Sequence, residues 1–127
     1  MRSGEVVRLR VTGTILRPPD RELEYVGLRV RALHTARLVF ATSSTRCAVD
    51  FPETGAFTVD VELQMNLPAG TYIVESTVWD VEGGMDAFPG PKLAITVSEG
   101  ASFFGEVQCN PRMMLAARAP APAGQDA

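Results

Sequence analysis

"FTVDVELQMNLPAGTYIVESTVWD", residues 57–80, decides the fold. Over Phe57–Met65 every odd position is apolar (Phe57, Val59, Val61, Leu63, Met65) and every even one is polar (Thr58, Asp60, Glu62, Gln64). A period of two means a β-strand with one dry and one wet face. Pro68-Ala69-Gly70 then turns the chain into a second extended run. Tyr72, Val74, Ser76 and Val78 fall on one face of that run, and Ile73, Glu75, Thr77 and Trp79 on the other. The chain's single tryptophan is therefore placed on the more polar face.

The same grammar extends in both directions. Residues 5–15 alternate, with Val7, Leu9 and Val11 on one face and Arg8, Arg10 and Thr12 on the other. Residues 17–22 (RPPDRE) read as a loop because two prolines and an aspartate punctuate them. Residues 24–33 put Val26, Leu28 and Val30 inward and Tyr25, Arg29 and Arg31 outward, and a turn at His34-Thr35 leads into a β-type run over 36–42. Residues 43–55 are polar and turn-rich. MDAFPGP (85–91) reads as a connection, 92–98 as a strand with Leu93, Ile95 and Val97 inward, and 102–109 as a last strand. Sustained helical periodicity is absent. About seven short strands with one wet face each predict an all-β, antiparallel β-sandwich over 1–113. Residues 114–127 read as a disordered Ala/Pro-rich tail.

Composition narrows the function classes. A chain of 127 residues suits one domain with a sizeable core. The formal net charge of −3 disfavours generic nucleic-acid binding. Charge is uneven: residues 1–37 hold eight arginines against four acids, and the remainder four basic residues against eleven acids. Two arrangements produce that asymmetry: neighbouring strands that neutralise one another, or a basic patch for an anionic ligand. Cys47 and Cys109 have no metal-type or CxxC spacing, which predicts free thiols in a reducing compartment. The N-terminal residues lack the apolar core of a signal peptide, and apolar runs fall short of the roughly 20 residues of a membrane span, so direct membrane insertion is not expected.

Catalytic motifs are missing. The sequence contains no phosphate loop, HExxH, EF-hand loop or GxSxG. Its one histidine, His34, sits in a predicted turn and supplies no metal cluster. Asp60, Glu62 and Glu75 are the carboxylates a glycoside hydrolase would need to pair, but alternate acids on a wet strand read as solvated surface. The expectation is a non-enzyme with no cofactor and no metal.

Four stretches in order resemble a known family. They are GEVVRLRV (4–11), YVGLRVRALHTARLVFATSS (25–44), FTVDVELQMNLPAGTYIVESTVWD (57–80) and KLAITVSEGASFFGEVQCNPRM (92–113). Together they are similar to the C-terminal polysaccharide-binding domain of Wzt-type O-antigen ABC exporter ATP-binding subunits. The closing Leu-Pro-His-x-Trp of that family is replaced here by Cys109-Asn110-Pro111-Arg112-Met113. The resemblance implies an immunoglobulin-like sandwich that binds a lipid-linked O-antigen-like polysaccharide. It also implies a cytoplasmic location, peripheral to the inner membrane through exporter ATPase and permease subunits acting in trans, and a homodimer formed through edge or terminal strands. An immunoglobulin-like protein-interaction or assembly domain without glycan binding is the alternative.

A sugar presents hydroxyls at its rim and C–H groups on its faces, and a protein meets them with an aromatic plane and planar polar side chains. The wet faces offer Tyr25, Arg29, Arg31, Asp60, Glu62, Gln64, Glu75, Thr77 and Trp79. Arginines and carboxylates suit bidentate bonding to vicinal hydroxyls, and Trp79 supplies the plane. Each also has a structural reading: Tyr25 covering a sheet edge, Arg29 and Arg31 pairing with Glu62 or Glu75, Trp79 packed under a loop. Tyr72 is assigned to the core or to a corner hydrogen bond, and one of Phe103 and Phe104 must face outward.

Overall fold

The computed structural model describes residues 1–19, 21–99, 103–109 and 111–116. Among them the protein is all-β, with six strands and no helix. These are β1 (Val6–Ile15), β2 (Leu23–Ala32), β3 (Leu38–Ser43), β4 (Gly55–Gln64), β5 (Gly70–Asp80) and β6 (Met85–Val97). All pairings between them are antiparallel. A two-stranded sheet, β1-β4, lies over a four-stranded sheet of order β3-β2-β5-β6.

The core forms where the alternating faces meet. Val26, Leu28 and Val30 of β2, Tyr72 and Val74 of β5, Ile95 and Val97 of β6, and Met65 are buried in one cluster. Val7, Leu9, Val11, Val59, Val61 and Leu63 pack down on it from the upper sheet but stay half-buried, because two strands cannot cover four. The Tyr72 ring is in that core, and its hydroxyl donates to the Pro68 carbonyl at 2.7 Å, closing the corner before β5. Burial holds the Tyr72 phenol above its ordinary pKa.

Two departures from the sequence reading have local causes. The segment MDAFPGP is not a connection but the first half of β6, which continues through Pro89 and Pro91. An edge strand tolerates prolines because its outer N–H groups have no ladder partner. Register breaks opposite Glu75–Thr77 and Val78–Trp79 mark bulges in β6. At the first of these, Gly90 runs so close to β5 that a Cβ there would lie 1.8 Å from the Ser76 carbonyl oxygen. The strand expected over 102–109 is likewise absent: Phe103–Cys109 are coil, with Gly105 in the left-handed region at φ 111° and Gln108 N–H bonded to the Asn66 carbonyl at 2.6 Å. Residues 114–116 are exposed and irregular, and 117–127 lie outside the described residues.

The charge asymmetry resolves into pairing. All six ion pairs among the described residues join an arginine of the first 37 residues to an acid beyond them. Cys47 and Cys109 are free and exposed. No helix among the described residues is long and apolar enough to cross a membrane.

Gly90→Ala forces either the bulge or the Ser76 carbonyl to move. We expect it to lower unfolding stability by ~1–3 kcal/mol, measured as a reduced urea midpoint with an unchanged slope.

Candidate functional site

The outer face of β2-β5-β6 gathers the polar side chains of those strands, but not quite in the set that strict alternation predicts. Leu23 and Glu24 pair with Asp80 and Trp79, whereas Gly27 pairs with Thr77, so two residues of β2, Tyr25 and Val26, stand opposite one of β5. That bulge exchanges the roles of Glu24 and Tyr25. Glu24 joins Gly27, Arg29 and Arg31 on the outer face. Tyr25 leaves it and packs its ring on Phe51 and Phe57, at centroid distances of 5.2 and 6.3 Å. Tyr25 is thus separated from the arginines it was grouped with.

Asp60, Glu62 and Gln64 are separated too. They lie on the outer face of the β1-β4 sheet, across the sandwich from Arg29. Asp60 receives Arg10 Nε at 2.8 Å and Glu62 receives Arg8 Nε at 3.0 Å, while Gln64 Nε2 donates to the Gly4 carbonyl. The hydrogen bond from Arg10 is the main cause that holds the Asp60 carboxyl below its usual range. These are solvent-facing pairs, with side-chain exposures of 64–81% for Arg8–Glu62 and 66–68% for Arg10–Asp60.

Arg29, Arg31, Glu75, Thr77 and Trp79 do come together. Arg31 Nε bonds Glu75 at 3.2 Å, and Arg29 reaches across Trp79 to Asp86, which pairs with Trp79 in the β5–β6 ladder. The Arg29 guanidinium carbon lies 5.5 Å from the indole centroid, a cation–π arrangement. Gly27, between Glu24 and Arg29 on this face, lies close against β5: a Cβ there would press on the Thr77 side chain at 3.3 Å. The exposures here are much lower, 21% and 36% for Arg29–Asp86 and 33% and 20% for Arg31–Glu75. Trp79 is half-buried, neither a core residue nor a free platform. Thr77 is buried and donates its hydroxyl to the Phe88 carbonyl at 2.9 Å, so it tethers β5 to β6.

Three further residues complete the site. Asp86 anchors Arg29. Glu24 accepts from Ser44 Oγ at 2.9 Å and from Thr45 N–H at 3.0 Å, which fixes the start of the loop 44–54. That loop brings Arg46 to the rim. The result is a depression of about 530 Å³ whose lining includes Glu24, Arg29, Arg31, Arg46, Thr77 and Trp79, with Leu38 and Val81 as apolar margins. Glu24 was detectable only from the register, and Arg46 and Asp86 only from the fold, since no local pattern distinguishes them. Among the described residues no cluster of His, Cys, Asp and Glu has the makings of a metal site. His34 is exposed in the β2–β3 turn.

Comparison with known proteins finds a likeness of fold alone. No protein-family model matches the sequence, and no curated protein matches it. The solved structures include a neighbour described as the C-terminal domain of Wzt. It superposes with a TM-score of 0.68 at 11% identity, over 91% of this chain and 72% of that one.

Burial raises the Glu24 carboxyl, but the hydrogen bonds from Thr45, Ser44 and Ser43 outweigh it, and its pKa ends below the ordinary 4.5. A folded-state pKa below the unfolded one stabilises at higher pH and loses that contribution as pH falls through the folded value. Glu24→Gln should therefore lose stability less steeply than the parent between about pH 5 and about pH 3, followed by thermal unfolding across that range.

Proposed function

We propose that the protein is a non-catalytic carbohydrate-binding domain that takes a bacterial surface polysaccharide on the outer face of β2-β5-β6. One observation carries the reading: an indole, the guanidinium of Arg29 over it and the guanidinium of Arg31 line one open depression, each arginine held in place by a carboxylate beside it, Asp86 and Glu75. Arg29 and Arg31 keep N–H groups beyond those spent on Asp86 and Glu75, and each carboxylate keeps lone pairs. Vicinal sugar hydroxyls, each both donor and acceptor, match such pairs. The half-buried indole supplies an apolar edge against sugar C–H groups. Because the side chains already hold one another, little rotamer entropy remains to be lost on binding.

The fold likeness to the C-terminal domain of Wzt supports the same reading. We place the protein, on that basis, in O-antigen-type export, acting beside ABC transporter subunits at the cytoplasmic side of the membrane. Within this reading Arg29, Arg31, Glu75 and Trp79 contact the glycan, Glu24 and Arg46 close the rim, and Thr77 and Asp86 position the others. Tyr25, Asp60, Glu62 and Gln64 have no part in it. A protein-interaction domain is the second reading, favoured by the full exposure of Phe104 beside half-buried Phe103.

An array of bacterial polysaccharides probed with the intact chain tests the proposal. Binding should fall at least about fivefold in Arg46→Ala and in Trp79→Ala, the loss of roughly 1 kcal/mol that marks a significant contact, with far-UV circular dichroism unchanged. Folded protein that binds no polysaccharide would overturn the proposal. Unfolding of Trp79→Ala together with full binding by Arg46→Ala would remove this face as the site.

A further inference from the structure

The two flanks of the sandwich are closed differently. Strands in a sheet lie about 4.8 Å apart, so a two-stranded sheet leaves the margins of a four-stranded one uncovered. On the β3/β4 flank, the segment 103–108 lies alongside, tied by Gln108 N–H to Asn66 and by the Arg37–Glu106 pair. On the β1/β6 flank only one end is closed. There Met1 and Ser3 bond to Ser98, and Ile95 and Val97 are 9% and 1% exposed. Farther along the same inner face, Leu93 and Phe88 are 52% and 59% exposed, although they pair with Val74 and Val78. Between Phe88 and β1 runs a groove of about 580 Å³ whose apolar lining includes Val11, Ile15, Tyr25, Phe57, Phe88 and Pro91, with Arg17 and Arg21 among its polar members.

We infer that this groove takes an extended segment of a partner protein, added as a third strand on the free edge of β1. The chemistry of the occupant follows from three observations. β1 pairs only with β4 among the described strands, so alternate residues direct backbone N–H and C=O groups outward, which calls for a strand. The lining of the groove beneath is mainly apolar, so inward positions of that strand should be apolar. Its outward positions would stand beside Arg8 and Arg10, each already flanked by an acid on the β4 side, so acids there extend the ladder Glu62–Arg8 and Asp60–Arg10. A second copy offering its own β1 would bring Arg8, Arg10, Thr12 and Thr14 to the outward positions, and so no acid to extend the ladder. The occupant is therefore a strand alternating apolar and acidic residues, as β4 itself does on the other side of β1. The site is independent of the glycan face.

The test uses the isotope-labelled intact chain and the synthetic peptide Ac-VTVTVEVEV-NH2, written antiparallel to β1 with its acids opposite Arg10 and Arg8. Saturable amide shifts are expected along β1 and at Phe88 and Leu93, with the Trp79 face unmoved. Affinity should drop at least about tenfold, or 1.4 kcal/mol, when lysines replace the glutamates, and similarly for Phe88→Asp, a change at an exposed side chain. Three results would overturn the inference: no shifts up to about 1 mM peptide, equal binding of the lysine peptide, or self-association that buries β1 before any peptide is added.

Discussion

The ladder between β2 and β5 is the constraint on which the molecule depends. It joins the two central strands of the lower sheet, supplies Val26, Leu28, Val30, Tyr72 and Val74 to the core, and carries the candidate site on its reverse. Strict alternation along β2 would place Glu24 among apolar side chains and Tyr25 in water. An ionised carboxylate buried that way would cost several kcal/mol. The bulge at Tyr25–Val26 avoids this by moving both residues to the other face, and each then finds a partner. The tyrosine ring completes a cluster with Phe51 and Phe57, and the carboxylate receives the hydrogen bonds of Ser44 and Thr45. One inserted residue thus determines both a corner of the core and the rim of the depression.

Charge follows the same division of labour. The arginines of β1 face the acids of β4 in water, where such pairs add little to stability. They instead keep the upper sheet's edge charged, a usual protection against indiscriminate strand pairing. The arginines of β2 lie lower, partly shielded by one another, by Trp79 and by β6. Screening by solvent is weaker there, so the same residue types form a more rigid array. Two faces of similar composition therefore have different capacities, and burial accounts for the difference.

Much of this was legible from alternation alone. The inward sets of β1, β2, β4 and β5, the turn at His34-Thr35 and the corner role of Tyr72 all follow from period two and turn chemistry. The pairing of an arginine-rich beginning with an acidic remainder was legible as well. What alternation cannot encode is which strands become neighbours. Asp60 and Glu75 look equivalent in sequence, and only the order β3-β2-β5-β6 against β1-β4 sends them to opposite sides of the molecule. Nor can it reveal bulges, which depend on close approaches such as Gly90 to Ser76. Pro89 and Pro91 argue against a central strand and were read as a connection, when the position they fit is an edge.

Trp79 draws these strands of reasoning together. Its side of β5 is the polar one, yet the indole is not left standing in solvent. Arg29 lies over it, and Asp86 holds Arg29 there because the second bulge of β6 sets that acid opposite the indole. An unsupported tryptophan on a flat sheet would sample several rotamers, and ordering it would oppose binding. Here the ordering has already occurred during folding, at the expense of some accessible ring surface. The site is therefore better suited to a ligand met along an edge, by several planar groups at once, than to one stacked broadly on a single exposed ring.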